Sequence, residues 1–330
     1  MNKALFFIAL LGLTACVSDL DIPLPAHQER LVVQSRLVAG EPAYVYLTHS
    51  YAIDAAVTLD ELLVRDATVE IWTDGARLET LTYRDTVYAT FDSANNRSGR
   101  YASDFVVEAG RRYELRITHP DYPAVRAEAL VPAMPEVLGF EVIRDTIVLE
   151  ETIGDFIRIQ SMLRPTVQDP AGVANFYDFE ALIAYRDTTN EIPINDTFFQ
   201  SLFLERNLGF DVDGNLVGDQ NPVSDSTFDG MVHTFDLLTI LPDGCCFFVE
   251  NSFDLSQLPR AEIFYIDLRI RAVEPAISQY LRQLRLQRNS NLDGIASAIL
   301  PSEPVTVGGN IEGGEGFFAG EASVLVRWTP

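Results

Sequence analysis

The chain has 330 residues, 47% of them hydrophobic, and carries 48 acidic against 24 basic side chains, a formal net charge of −24. A surface of that sign repels nucleic acid and anionic lipid, which excludes a nucleic-acid partner. Lys3 is the only lysine, and the arginine-for-lysine usage with bulk acidity fits solubility in a saline medium or a GC-rich source.

The first element is "FFIALLGLTACVSDLDIPLP", residues 6–25. Lys3 precedes an uncharged run at residues 4–13, the length of a signal-peptide core and too short to span a bilayer. Leu13-Thr14-Ala15-Cys16 resembles the bacterial lipobox, in which a peptidase cleaves before a cysteine that already carries diacylglycerol. Residues 1–15 are therefore expected to be a lipoprotein signal peptide and Cys16 the lipidated first residue, holding the protein to a membrane through its acyl chains. The alternative is an ordinary secretory signal with a chance cysteine. Residues 16–29, with Pro23 and Pro25, read as an extended tether.

The body starts with "RLVVQSRLVAGEPAYVYLTHS". Val33, Ser35 and Leu37 alternate with Gln34 and Arg36, Val45 and Leu47 alternate with Tyr44, Tyr46 and Thr48, and residues 39–42 supply a turn, which predicts a β-hairpin. "DATVEIWTDGARLETLTY" repeats the period of two around Asp74-Gly75. "GRRYELRIT" places Tyr113, Leu115 and Ile117 on one face, and "VRAEALVPAMP" closes the unit at Pro132 and Pro135. Short alternating strands at regular spacing predict an immunoglobulin-like or transthyretin-like β-sandwich over 30–133.

A second β-rich domain is expected over 136–330, from "DFIRIQSMLRP", "ANFYDFEALIAYRD", "AEIFYIDLRIRAV" and "ASVLVRW". Its Asn/Asp/Gly-rich stretch at 187–230 reads as a long excursion. Ile277, Tyr280, Leu281 and Leu284 recur at helical spacing behind Pro275, which predicts one amphipathic helix at about 275–288 packed on the sheet. The whole is mainly β.

Several stretches together resemble one family. The lipobox followed by "DLDIPLP", the first hairpin, "DPAGVANFYDFEAL", "SDSTFDG", "YLRQLRLQ" and "SEPVTVGGNIEGGEGFFAG" are similar, in order over nearly the whole chain, to Bacteroidota outer-membrane lipoproteins catalogued as a domain of unknown function. Genes of that family often lie beside TonB-dependent receptors. The resemblance implies an outer-membrane lipoprotein that works with a transporter barrel, on the periplasmic or the cell-surface face, and it supplies no catalytic residues.

Candidate sites are few. Asp211, Asp213, Asn215 and Asp219 in "DVDGNLVGD" alternate along a glycine-containing loop and could converge oxygens on calcium. Gly214 falls two positions early for an EF-hand and position twelve is Pro222, so ordinary turn chemistry is the competing reading. The glycines of "GGNIEGGEGFFAG" lack a phosphate-loop ending and suit a bulged strand or a close backbone contact, with the protein's own sheet or with a partner. Arg269, Arg271, Arg282, Arg285 and Arg288 gather positive charge within 20 residues, either as a solvated face or as a partner-docking surface, with Arg282, Arg285 and Arg288 on the helix.

Cys245 and Cys246 are adjacent, so either a strained vicinal disulfide or two reduced thiols is expected. His27, His49, His119 and His233 have no metal-spacing companions, and no nucleophile–base signature stands out. The expected function is a non-enzymatic, lipid-anchored accessory or binding protein. The alternatives are a lipid-anchored hydrolase with its nucleophile in the 187–230 excursion, or a structural surface lipoprotein without a ligand.

Overall fold

Period-two alternation decides most of the local structure, because each strand that buries one face against a core must place every second side chain there. The structure, a computed structural model, describes residues 27–52, 55–87, 97–151, 154–187, 197–202, 204, 206–210, 216–219, 222–239, 241, 247–249, 261–280, 283 and 309–330. The protein is mainly β, with several sheets in a sandwich-like arrangement.

The first hairpin is formed by β1 (Leu31–Val38) and β2 (Pro42–His49), in register from Leu31↔His49 to Gln34↔Tyr46. Val33, Leu37, Val45 and Leu47 are buried, as the alternation predicts. A four-residue helix, α1 (Leu59–Leu62), lies outside the predicted elements; the Glu61 carboxylate accepts from the Thr58 N–H at its start, 2.7 Å. Next come β3 (Thr68–Thr73) and β4 (Ala76–Thr80), which reverse at Asp74-Gly75 with φ of 52° and 76°. Two positive φ values in succession give the mirror-image turn whose twist suits a tight hairpin. β5 (Thr82–Val87), β6 (Arg97–Val106), β7 (Arg112–Thr118) and β8 (Val125–Leu130) complete the unit.

Two sheets result, one containing β5-β6-β2-β1 in that order and the other β4-β3-β7-β8. Between them Ile71, Tyr101, Tyr113, Leu115 and Ile117 are almost wholly buried. Burial of each such side chain contributes about 1.5–3 kcal/mol, so this core is the main stabiliser of the unit.

The next unit opens with β9 (Glu136–Glu151) and β10 (Gly154–Gln168), paired along their whole length with a bulge at Leu138. β11 (Phe176–Asp187), β12 (Phe198–Leu202), β13 (Arg206–Phe210), β14 (Leu216–Asp219), β15 (Val223–Ser224), β16 (Val232–Thr234), β17 (Leu237–Thr239) and β18 (Phe247–Val249) follow. β16, β17 and β18 each pair with β10 on the edge away from β9. The long strands β19 (Ala261–Val273) and β20 (Glu315–Trp328) flank helix α2 in sequence; its described residues are 275–280 and 283.

β20 joins the two units. It pairs antiparallel with β19 and parallel with β1, giving one nine-stranded sheet whose main path is β12-β11-β19-β20-β1-β2-β6-β5. Its even-numbered residues face inward: Phe318 lies in the first core, while Val324, Val326 and Trp328 pack on the second, beside Ile183, Ile266, Leu268 and Ile270. Both cores therefore occupy one face of the great sheet, and the odd-numbered residues of β20 belong to the other face. There α2 packs Ile277 and Tyr280 over Val273, Phe317 and Ala319. The glycines of β20 itself meet the protein's own sheets: a Cβ on Gly316 would sit 1.9 Å from the Val33 carbonyl oxygen, and one on Gly320 2.4 Å from that of Leu130.

Candidate functional site

The outer face of the great sheet holds a groove of about 400 Å³. β1 contributes Gln34 and Arg36, β2 contributes Tyr44 and Tyr46, β19 contributes Arg269 and Arg271, and β20 contributes Phe317 and Glu321. These are the outward members of strands whose alternate residues fill the cores, so the hydrophobic pattern that folds the sheet also fixes which side chains line the groove.

Ion pairs set the geometry. Arg36 donates through Nε at 3.0 Å, and also through Nη2, to Oε2 of Glu321, whose side chain is 3% exposed. Arg271 donates through Nη2 to Asp178 at 2.5 Å, with Glu180 further off at 3.9 Å. Opposite, the Arg100 guanidinium lies 4.1 Å above the Tyr44 ring and donates to the Tyr46 hydroxyl at 3.4 Å. The Tyr44 hydroxyl donates to Glu41 at 2.9 Å; burial, and then that contact, push the phenol above its ordinary pKa. Cations stacked on ring faces and carboxylates held by guanidinium forks leave these side chains little freedom. Arg269 is different: it is exposed and has no hydrogen bond or ion pair among the described residues.

A second cluster joins two of the sequence blocks. "DPAGVANFYDFEAL" and "SDSTFDG" meet in a buried polar knot: Tyr177 donates to Asp169 at 2.7 Å, Gly230 N–H to the other oxygen of Asp169 at 2.9 Å, and Asn175 N–H to Asp225 at 2.6 Å. Gly172 N–H donates to Asp229 at 2.7 Å. Every one of these bonds ties one loop to another or to β11, so the knot reads as a structural lock. Burial is the main cause that raises the Asp225 carboxyl above the usual carboxylate range. The folded state then holds that proton more tightly than the unfolded chain. Its contribution to stability is full below the unfolded pKa and lost as pH rises through the folded one. Asp225→Asn, which keeps an acceptor for Asn175, should remove this contribution, so wild type should gain stability relative to the variant between pH 7 and pH 4 in urea melts. Asp225→Ala should cost about 1–3 kcal/mol, because it leaves a buried N–H without an acceptor. An unchanged wild-type-to-Asn difference across that pH range would mean that Asp225 is not titrating as a buried acid.

The sequence-predicted residues fare unevenly. Arg269 and Arg271 come together at the groove, with Arg271 largely spent on Asp178. Ile277 is buried and Tyr280 packs against Phe317 with ring centroids 4.5 Å apart. Cys16, Cys245 and Cys246, Leu281, Leu284, Arg282, Arg285 and Arg288, and the calcium candidates Asp211, Asp213 and Asn215 lie outside the described residues; Asp219 sits on β14 opposite Arg206. Among the described residues no three His, Cys, Asp or Glu side chains assemble as a metal site, and no helix is long and apolar enough to cross a membrane.

The histidines bond locally. His119 lies 3.0 Å from Asp66, and His233 stacks on Phe228 at 4.1 Å, its pKa lowered by burial. Ser50 Oγ lies 3.3 Å from His27 Nε2 and accepts from the Arg30 N–H at 3.1 Å; no carboxylate orients His27 among the described residues. That contact ties down the start of the body and lacks the third group that a nucleophile–base pair requires. Sequence reasoning missed Arg36, Tyr44, Tyr46, Phe317 and Glu321 as site residues. The outward phase of Arg36 and the tyrosines was the available signal.

The chain matches the family model described as Domain of unknown function (DUF4249) over residues 17–324 and belongs to that family. No curated protein matches it.

Proposed function

We propose that this is a lipid-anchored binding protein of the outer membrane, non-enzymatic, which works beside a TonB-dependent transporter. The observation that carries the binding role is the groove: the two large cores lie on the other face of the sheet, so Tyr44, Tyr46 and Arg269 are turned toward solvent without being needed to fill an interior, beside Phe317, which is buried under Tyr280 of α2. Arginine and aromatic side chains are the types enriched where proteins meet partners. The lipobox-like sequence at Cys16 and the proline-containing tether support the anchor, and the order of sequence blocks shared with transporter-linked lipoproteins supports the partner.

Two measurements test this reading. Cys16→Ser should abolish acylation and leave the protein soluble or unprocessed; a variant that still fractionates with outer membrane after a salt wash would overturn the anchor. A mild-detergent pull-down of the tagged protein should recover a receptor barrel, and recovery of none would overturn the transporter partnership.

A further inference from the structure

We propose that the groove takes a small carboxylate carried on a planar or aromatic body, an inference that rests on the groove being a binding site. In its lining Arg36 is paired with Glu321 and Arg271 with Asp178, which leaves Arg269 as the lining cation without an ion pair among the described residues and one charge for a ligand to match. That balance suits a monoanionic carboxylate better than a phosphate dianion.

The donors to receive it are in place. Arg36 spends Nε and Nη2 on a single oxygen of Glu321, which leaves Nη1 without an acceptor among the described residues. Arg269 has no hydrogen bond or ion pair among the described residues and sits between Glu180 on β11 and Leu325 on β20 in the strand register. Arg271, held by Asp178, keeps a buried Nε without an acceptor among the described residues.

A guanidinium fork matches a carboxylate in two parallel hydrogen bonds, and a charge-assisted pair is about twice as strong as a neutral one. Preorganisation adds to this: Glu321 is buried and holds Arg36, so binding does not have to order that side chain. Tyr46 supplies flat apolar surface beside the guanidinium groups, and about 400 Å³ lies toward the small end of ligand pockets, the scale of a single-ring acid. The ligand must be recognised at short range, because the net charge of −24 repels anions at a distance.

The test uses the full mature protein in mild detergent, titrated with benzoate, with the neutral isostere benzamide, and with inorganic phosphate, followed by melting temperature and calorimetry. Benzoate should raise the melting temperature saturably by mass action, with benzamide and phosphate at least about 10-fold weaker. Arg269→Gln should weaken benzoate about 10-fold or more and leave the ligand-free melting temperature unchanged, since the exposed Arg269 side chain makes no hydrogen bond or ion pair among the described residues. N-acetyl-phenylalanine is titrated in parallel. Carboxylate-dependent, Arg269-dependent binding of either acid supports the proposal, and the tighter one tells a free aryl acid from a peptide carboxy terminus. Equal binding of benzamide and benzoate, undiminished binding by Arg269→Gln, or no response to either acid overturns it. Receptor co-purification is scored separately: benzoate binding without a receptor removes only the transporter partnership, and a receptor without benzoate binding removes only the carboxylate site.

Discussion

Phe318→Ala is expected to destabilise the protein by about 3–5 kcal/mol, although residue 318 is encoded almost at the end of the chain. Its side chain is fully buried in the core of the first sandwich, with Leu31, Val33 and Leu37 of β1 in the same cluster. Truncation leaves a cavity that the rigid sheets on either side cannot close. The effect should reach both units, because β20 pairs with β1 from Val32↔Glu315 to Val38↔Glu321 and with β19 from Ile266↔Trp328 to Val273↔Glu321. The only tryptophans report on the two units separately: Trp72 lies on β3 of the first sandwich and Trp328 at the end of β20 against the second core. In urea, single-tryptophan variants should give coincident transitions, both shifted by Phe318→Ala. A transition of Trp72 that ignores Phe318→Ala would show that β20 does not complete the first core.

Gly316→Ala and Gly320→Ala should each cost about 2–4 kcal/mol, for reasons that no side-chain adjustment relieves. Gly316 has φ of 99°, a conformation that a Cβ strains, and the added carbon would lie 1.9 Å from the carbonyl oxygen of Val33. At Gly320 the new carbon would meet the Leu130 carbonyl oxygen at 2.4 Å and the Val131 Cα at 2.5 Å. These are backbone atoms of β1 and of the end of β8, so at Gly316 two paired strands, and at Gly320 two facing sheets, would have to move apart. Gly139 on β9 is the control: it is exposed, a Cβ added there would meet nothing within 4 Å, and Gly139→Ala should be close to neutral. Comparable losses at all three positions in thermal or urea melts would remove close approach as the explanation.

The strands that obey strict alternation were legible in the sequence. Val33, Leu37, Val45 and Leu47 on the first hairpin, and Tyr113, Leu115 and Ile117 on β7, face the core as their spacing predicts. β9 was not legible, because the bulge at Leu138 breaks the period and Gly139 interrupts the apolar run. α1 escaped for a different reason: four residues are too few to show a helical period. Of the candidate site, the outward phase of Arg36, Tyr44 and Tyr46 could be read, and so could the positive charge of Arg269 and Arg271. Their convergence could not.

The local layer is written in the sequence: which alternating segments are strands, which of their side chains point inward, where Asp74-Gly75 reverses the chain, and the lipobox-like stretch ending at Cys16. Those properties depend on neighbours a few residues away, and alternation records them directly. It takes the assembled fold to bring β20 between β1 and β19, to feed Phe318 to one core and Trp328 to the other from one strand, and to join Arg36 to Glu321 across 285 positions of sequence. Strand partners are chosen through backbone hydrogen bonds that every residue type except proline offers alike, so the pairing of distant strands leaves little mark on either one. The groove inherits that property, since its walls come from four strands that only the completed sheet brings side by side.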